Sequence, residues 1–214
     1  MSKKYLVVGA TGLMGTTLVN QIPLNKEVTV IARRKINYKR PVNFLNLDDH
    51  IKLPQADHLF ICLGYPLELR DLLLMRESVK ENFKAVDYDL VIKIAEAAKQ
   101  SNIESVSVIS SVEAHPKSLN YYLKVKGQME NKIKELGFES INIFRPSHLL
   151  GEREKETTFD VKTFEFFTNI AGNFLFGWFK KYKNIQAQKL AVAMYKKSNK
   201  IGNTVDIFTF KDFS

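Results

Sequence analysis

The chain has 214 residues, 45% of them hydrophobic, enough for one full α/β domain and little more. Its one cysteine, Cys62, rules out an intramolecular disulfide and suits a reducing, cytoplasmic setting. The formal charge of +9 comes mostly from lysines scattered along the chain, which reads as a solvated basic surface and not as a face for nucleic acid.

Met1-Ser2-Lys3-Lys4 leads directly into an apolar run, so no secretory leader is expected. That run, Tyr5–Val8, is the first predicted strand. It passes at once into Gly9-Ala10-Thr11-Gly12-Leu13-Met14-Gly15, and a helical stretch follows over Leu13–Ile22. Strand, glycine turn and helix in that order form a cradle for a pyrophosphate. Gly9 lets the chain turn sharply, Gly12 leaves room beside the backbone, and Gly15 lets the helix lie close to the strand. The amides of Thr11, Leu13 and Met14 at the helix start then face the phosphate.

The second strand, Val28–Ala32, ends on Arg33-Arg34 with no carboxylate. An acid there would bond a ribose 2′-hydroxyl; a guanidinium pair suits a 2′-phosphate, so NADP(H) is the expected dinucleotide. The third strand, Val42–Leu45, is followed by Asn46, placed to accept a bond from adenine. The fourth, Leu59–Leu63, closes on Gly64, where close backbone approach to the cofactor is possible. Helical periodicity then covers Leu67–Phe83 and Tyr88–Gln100, with Asp87 reading as the N-cap of the second helix.

The fifth strand, Val106–Ile109, runs into Ser110-Ser111. A helix over Tyr121–Leu136 follows and carries Tyr122 and Lys126 four residues apart on one face. These groups suit carbonyl reduction. Tyr122 exchanges a proton with the carbonyl oxygen, the Lys126 ammonium favours the phenolate and can bond the nicotinamide ribose, and a serine hydroxyl holds the substrate oxygen.

The sixth strand is Ile141–Phe144. Residues 151–183 are the least regular and read as a small cap on the substrate side. Within them Phe164–Tyr182 has helical spacing and aromatic residues, more suited to packing in its own domain or against a second copy than to a membrane surface. Helix Ala187–Lys197 and strand Thr204–Phe208 close the chain. No apolar run reaches the roughly 18 residues that span a bilayer. His50, His58, His115 and His148 lack metal-ligand spacing, so no metal is expected. Alternation of strand and helix predicts one domain over 1–214, a Rossmann-like doubly wound parallel sheet with helices on both faces.

The motifs GATGLMG (9–15), VTVIARRKI (28–36), CLG (62–64), VDYDLVIKIAEAAK (86–99), SSVEAHPKSLNYYLKVKGQME (110–130) and INIFRPSHLLGERE (141–154) together resemble the short-chain dehydrogenase/reductase superfamily. Within it they are similar to the atypical branch that includes the Tat-interacting-protein-like oxidoreductases. The resemblance implies an NADPH-binding fold with Tyr122 and Lys126 as the catalytic pair. It places Ser110 at the family's tyrosine offset, and Ser111 serves if the strand register shifts by one. It brings Leu63 and Gly64 to the cofactor and passes the backbone from Pro146 to Leu149 beside the nicotinamide. It also puts Asp87 where related enzymes often carry Asn, and Asn46 where they carry an acid. The expected partner is a small-molecule substrate, with a homodimer possible. The competing reading is an NADPH-binding regulatory protein with little turnover.

Overall fold

The computed structural model describes residues 2–48, 51–67, 71, 75–147, 149–150, 185–200 and 202–213. The expected cap, with the aromatic stretch Phe164–Tyr182, lies outside the described residues.

Seven parallel strands form one sheet: β1 (Lys4–Val8), β2 (Glu27–Ala32), β3 (Asn43–Asn46), β4 (His58–Ile61), β5 (Ser105–Ile109), β6 (Ser140–Phe144) and β9 (Thr204–Phe208). Their order across the sheet is β3-β2-β1-β4-β5-β6-β9. The chain runs outward from β1 to β3, then returns to place β4 on the other side of β1. The crevice at that reversal, outside the carboxyl ends of the strands, is where such sheets bind ligands. A separate short parallel pair joins β7 (Leu149–Leu150) to β8 (Ile185–Gln186).

Strand residues alternate between two apolar layers. Tyr5, Val7, Val30, Phe60 and Phe144 pack against α1 (Leu13–Gln21) and α5 (Ala187–Lys197), with Phe213 of the short α6 (Phe210–Phe213). Leu6, Val8, Leu59, Ile61, Val106, Val108 and Ile143 pack on the opposite face against α3 (Val91–Gln100) and α4 (Tyr121–Glu135). Because both faces are covered, the central strands are mostly apolar, with His58, Ser107 and Asn142 as buried polar exceptions.

One expected boundary is absent. Helix α2 (Glu77–Lys84) does not stop before Tyr88; it continues through a π-helical turn, Ala85–Leu90, directly into α3. Asp87 therefore sits inside a helix and caps nothing. An acid ahead of an apolar helical run has the local signature of a cap; here its partners come from distant segments, which no local pattern reveals.

Arg40 is another residue whose role is tertiary. Its guanidinium is buried and donates to the carbonyls of Ile22, Pro23 and Lys26. It serves the carboxyl end of α1, whose last turn carries no basic residue of its own. Arg40→Met is expected to destabilise the fold by about 2 kcal/mol, since it strands carbonyls that had a charged donor. A urea unfolding midpoint indistinguishable from wild type removes this role.

Candidate active site

One end of the candidate site is built from β1, the glycine turn and α1. Gly9 has φ of +76°, and a Cβ there would lie 2.5 Å from the Cys62 carbonyl oxygen at the end of β4. A Cβ on Gly15 would lie 2.3 Å from the Gly9 oxygen. These two contacts set α1 hard against the turn, and no larger residue fits either place. Gly12 is exposed and its side facing outward is open, the nearest atom to a Cβ being 3.5 Å away. The first turn of α1 has neither an acid nor a side-chain cap, so the leading amides of Leu13, Met14 and Gly15 are left for an anion. Thr11 is half-buried beside them. The carbonyl of Ala10 is held from two sides, by the Thr16 hydroxyl at 2.8 Å and the Tyr38 hydroxyl at 3.2 Å.

A cleft of about 190 Å³ lies where β2 and β3 finish, lined by Ile31, Leu45, Asn46, Leu47, Asp48 and Ile51. The Leu47 amide donates to the Ala32 carbonyl at 3.1 Å and keeps the two strand ends together. Asn46 is in place. Asp48 was not anticipated; its only signal in the chain is that it stands two residues further along the same strand end. Arg33 and Arg34 are exposed at the end of β2 and bond to no other described residue. Leu63 is half-buried, and Gly64 is exposed with nothing within 4 Å of a Cβ position.

The chemical end gathers where β5, β6 and α4 meet. Asn120 opens α4 by accepting a bond from the Leu123 amide at 3.1 Å. The loop from β5 is pressed against the helix at Gly127, where a Cβ would lie 2.3 Å from the His115 carbonyl carbon. Glu113 turns that loop with φ of 62°, a costly conformation for a residue with a side chain. The Val112 amide bonds the Pro146 carbonyl at 3.0 Å, so the loop also follows the chain leaving β6. Pro146 is thus beside the site; Leu149 lies in β7, described by its backbone.

Tyr122 is half-buried, its ring 5.3 Å from that of Phe83 on α2. Lys126 is buried. Its Nζ lies 2.7 Å from Asp87 Oδ1 and donates to the Ile109 carbonyl at 3.2 Å. Burial alone drives the ammonium's pKa down, but the Asp87 carboxylate, with Tyr122 and Glu130 further off, outweighs it and leaves the pKa raised. Lys126 is therefore held at the carboxyl end of β5, with Tyr122 one turn earlier on the same helix.

The two serines differ. Ser110 donates its hydroxyl to Glu130 Oε1 at 2.5 Å, and the same carboxylate receives Arg145 Nε at 2.9 Å and Nη2 at 2.6 Å. Hydrogen bonding to Glu130 raises the Arg145 pKa above its ordinary value. Ser111 is buried beside it, and its hydroxyl has a single 3.2 Å bond to the carbonyl of the next residue, Val112. Glu130 and Arg145 were not singled out in the chain, though Glu130 continues the helix face of Tyr122 and Lys126 by one more turn.

The rat protein HTATIP2 is 30% identical over 190 residues, covering 83% of this chain and 75% of that protein. The chain belongs to the HTATIP2 family. FMP52 of Debaryomyces hansenii, named as a mitochondrial protein, is 32% identical over 158 residues, 70% of this chain and 68% of that one. No family model matches the chain. Among solved structures, a UDP-N-acetylglucosamine 4-epimerase from Methanobrevibacter ruminantium superposes with a TM-score of 0.73 at 16% identity, covering 97% of this chain and 76% of its own. A short-chain dehydrogenase family protein from Francisella tularensis superposes at 0.66 with 15% identity, covering 97% of both chains. The fold is thus that of the short-chain dehydrogenases and sugar-nucleotide epimerases, and the resemblance read from the motifs holds. The expected cytoplasmic setting is overturned, because the FMP52 members of the HTATIP2 family from D. hansenii, Candida albicans and Saccharomyces cerevisiae are named mitochondrial. One cysteine excludes an intramolecular disulfide and does not choose a compartment. Among the described residues, no helix is long and apolar enough to cross a membrane.

Proposed function

We propose that this member of the HTATIP2 family binds NADP(H) and reduces a small carbonyl compound. The observation that carries the reading is the seat of Lys126 at the serine-bearing end of β5, with Tyr122 one turn before it on α4, in line with a glycine turn that leaves the amides of α1 open. Solved neighbours of the same fold hold NAD, among them MoeE5 and WbmF. The residues here fit such a dinucleotide: Gly9 and Gly15 shape the cradle, the cleft at Asn46 is of a size for a base, and exposed Arg33 and Arg34 suit a 2′-phosphate.

When bound, NADPH supplies the hydride. Tyr122 holds the proton for the carbonyl oxygen, and Ser111 donates to that same oxygen, since Ser110 is committed to Glu130. Lys126 has spent two of its three N–H groups on Asp87 and Ile109, and the third would hold a ribose hydroxyl of the bound dinucleotide.

Calorimetric titration with NADPH and NADH tests the first half. Arg33→Ala with Arg34→Ala is expected to weaken NADPH about 10- to 100-fold and leave NADH unchanged. Equal loss for both dinucleotides removes the 2′-phosphate reading. The second half is tested with a broad panel of aldehydes and ketones. Tyr122→Phe is expected to retain NADPH binding and lose about 10²- to 10⁴-fold in turnover.

The commitment of Ser110 to Glu130 and of Lys126 to Asp87 favours a second reading, a dinucleotide-binding regulatory protein with little turnover. Tight NADPH binding with no oxidation by any member of the panel supports it over the reductase.

A further inference from the structure

The segment between β2 and β3 carries Arg33 and Arg34 and has no helix or strand of its own. Residues 33–37 make no hydrogen bond to any other described residue. Tyr38, Lys39 and Arg40 then fasten the chain to α1 and to its two flanks. Tyr38 donates its hydroxyl to the Ala10 carbonyl in the glycine turn, 28 residues away, at 3.2 Å. The Lys39 amide donates to Asn20 Oδ1 at 2.9 Å, in the last turn of α1. Arg40 holds the carbonyls beyond that helix. Of these fastenings, the first alone reaches the end of α1 where the leading amides lie open. The Tyr38 ring is half-buried and, like that of Leu13, its side chain packs on the apolar layer around α1.

We infer that Tyr38 is a positioning residue for dinucleotide selection: its hydroxyl fixes the arginine segment to the glycine turn, so that a 2′-phosphate and a pyrophosphate on one ligand meet holders already set relative to each other. The inference deepens the proposed function and rests on the reading that this site takes NADP(H). Arg33 and Arg34 are suspended between two fixed points. One is the Ala32 carbonyl, bonded by the Leu47 amide, and the other is Tyr38. Ordering a loop and its long side chains on binding costs affinity, and a second fixed point removes part of that cost beforehand. The Ala10 carbonyl does not need Tyr38 for its own sake. Thr16 donates to it at 2.8 Å from within α1, so loss of the phenol hydroxyl strands no acceptor. Phenylalanine at 38 would serve the packing equally well. The hydroxyl therefore acts on where the segment lies, and its loss falls on the ligand that uses the arginines.

The first test is brief trypsin digestion of the ligand-free chain, read by mass spectrometry. Cleavage after Arg33, Arg34 and Lys35 is compared with cleavage after Lys117, in the exposed stretch before α4. Tyr38→Phe is expected to raise that ratio about three-fold or more, because the untethered segment opens more often. An unchanged ratio overturns the tether. The second test is calorimetric titration with NADPH and NADH. Tyr38→Phe is expected to weaken NADPH about five-fold and NADH by less than about two-fold, with the urea midpoint unmoved. Added to Arg33→Ala with Arg34→Ala, it is expected to weaken NADPH no further, since no guanidinium is left to position. Equal loss for both dinucleotides, or a loss that persists without the arginines, overturns the selective role, as does an NADPH loss under about two-fold. Failure of the wild-type chain to bind NADPH fells the dinucleotide reading and the selective role with it, while digestion decides the tether separately.

Discussion

Arg145→Ala is expected to destabilise the protein by about 3 kcal/mol, more than any surface charge removal, because it leaves a carboxylate stranded inside. Glu130 is 1% exposed, and its Oε2 has the guanidinium as its partner at 2.6 Å. The arginine side chain itself is 25% exposed, so its own dehydration cost is modest and the loss falls on the acid. The control is Glu130→Gln combined with Arg145→Ala. An amide in place of the carboxylate removes the charge and still accepts from Ser110, so the double variant should be more stable than the single one. Urea unfolding of the three proteins reads the difference. A single-variant loss under about 1 kcal/mol means that water already reaches Glu130 and the pair is a surface contact.

Acid should unfold the protein partly through one histidine. His58 is 1% exposed at the start of β4, with Nδ1 2.7 Å from the Ser105 hydroxyl and Nε2 2.8 Å from that of Ser107. Burial, helped by the charge of Lys3, pushes its pKa down to about 3 from the usual 6.5. Above pH 6.5 the ring is neutral in both folded and unfolded chains and adds no pH dependence. Below it the unfolded chain takes up a proton that the folded one refuses, so stability falls with acid, by about 1.4 kcal/mol per pH unit, until the folded value is reached. Between pH 7 and pH 4 this amounts to about 3 kcal/mol. His58→Gln keeps a donor and an acceptor and should flatten the stability profile by that much over that interval. Parallel profiles for the two proteins assign the acid loss to other groups.

The fold was legible because its determinants are local. Short apolar strands alternating with helical runs announce a covered parallel sheet, and the ends of α5 and β9 fall where periodicity puts them. The glycine turn was legible for the same reason, since the demands on Gly9 and Gly15 are backbone demands. The chemical end was legible only in part. Tyr122 and Lys126 share a helix face, which spacing reveals. Their supports come from elsewhere: Asp87 from a helix two elements earlier, and Arg145 from the end of the following strand. An isolated Asp or Arg carries no periodic signal, and the local rule that Asp opens helices pointed the wrong way. The choice between Ser110 and Ser111 depended on Glu130, whose role is visible only once α4 lies on the sheet.

The π-helical turn has a consequence for how this stretch tolerates change in length. A ring closed from each residue to the fifth beyond it stores one more residue than an ordinary α-turn. Excising any one residue from 85–90 would let the backbone relax into a plain helix, a repair by local standards. The same deletion would rotate the two halves against each other by about 100°. Either Phe83 would swing away from Tyr122, or Val91 and Ile94 would leave the sheet. The segment therefore counts its residues as strictly as the glycine turn does, although it contains no glycine to announce it.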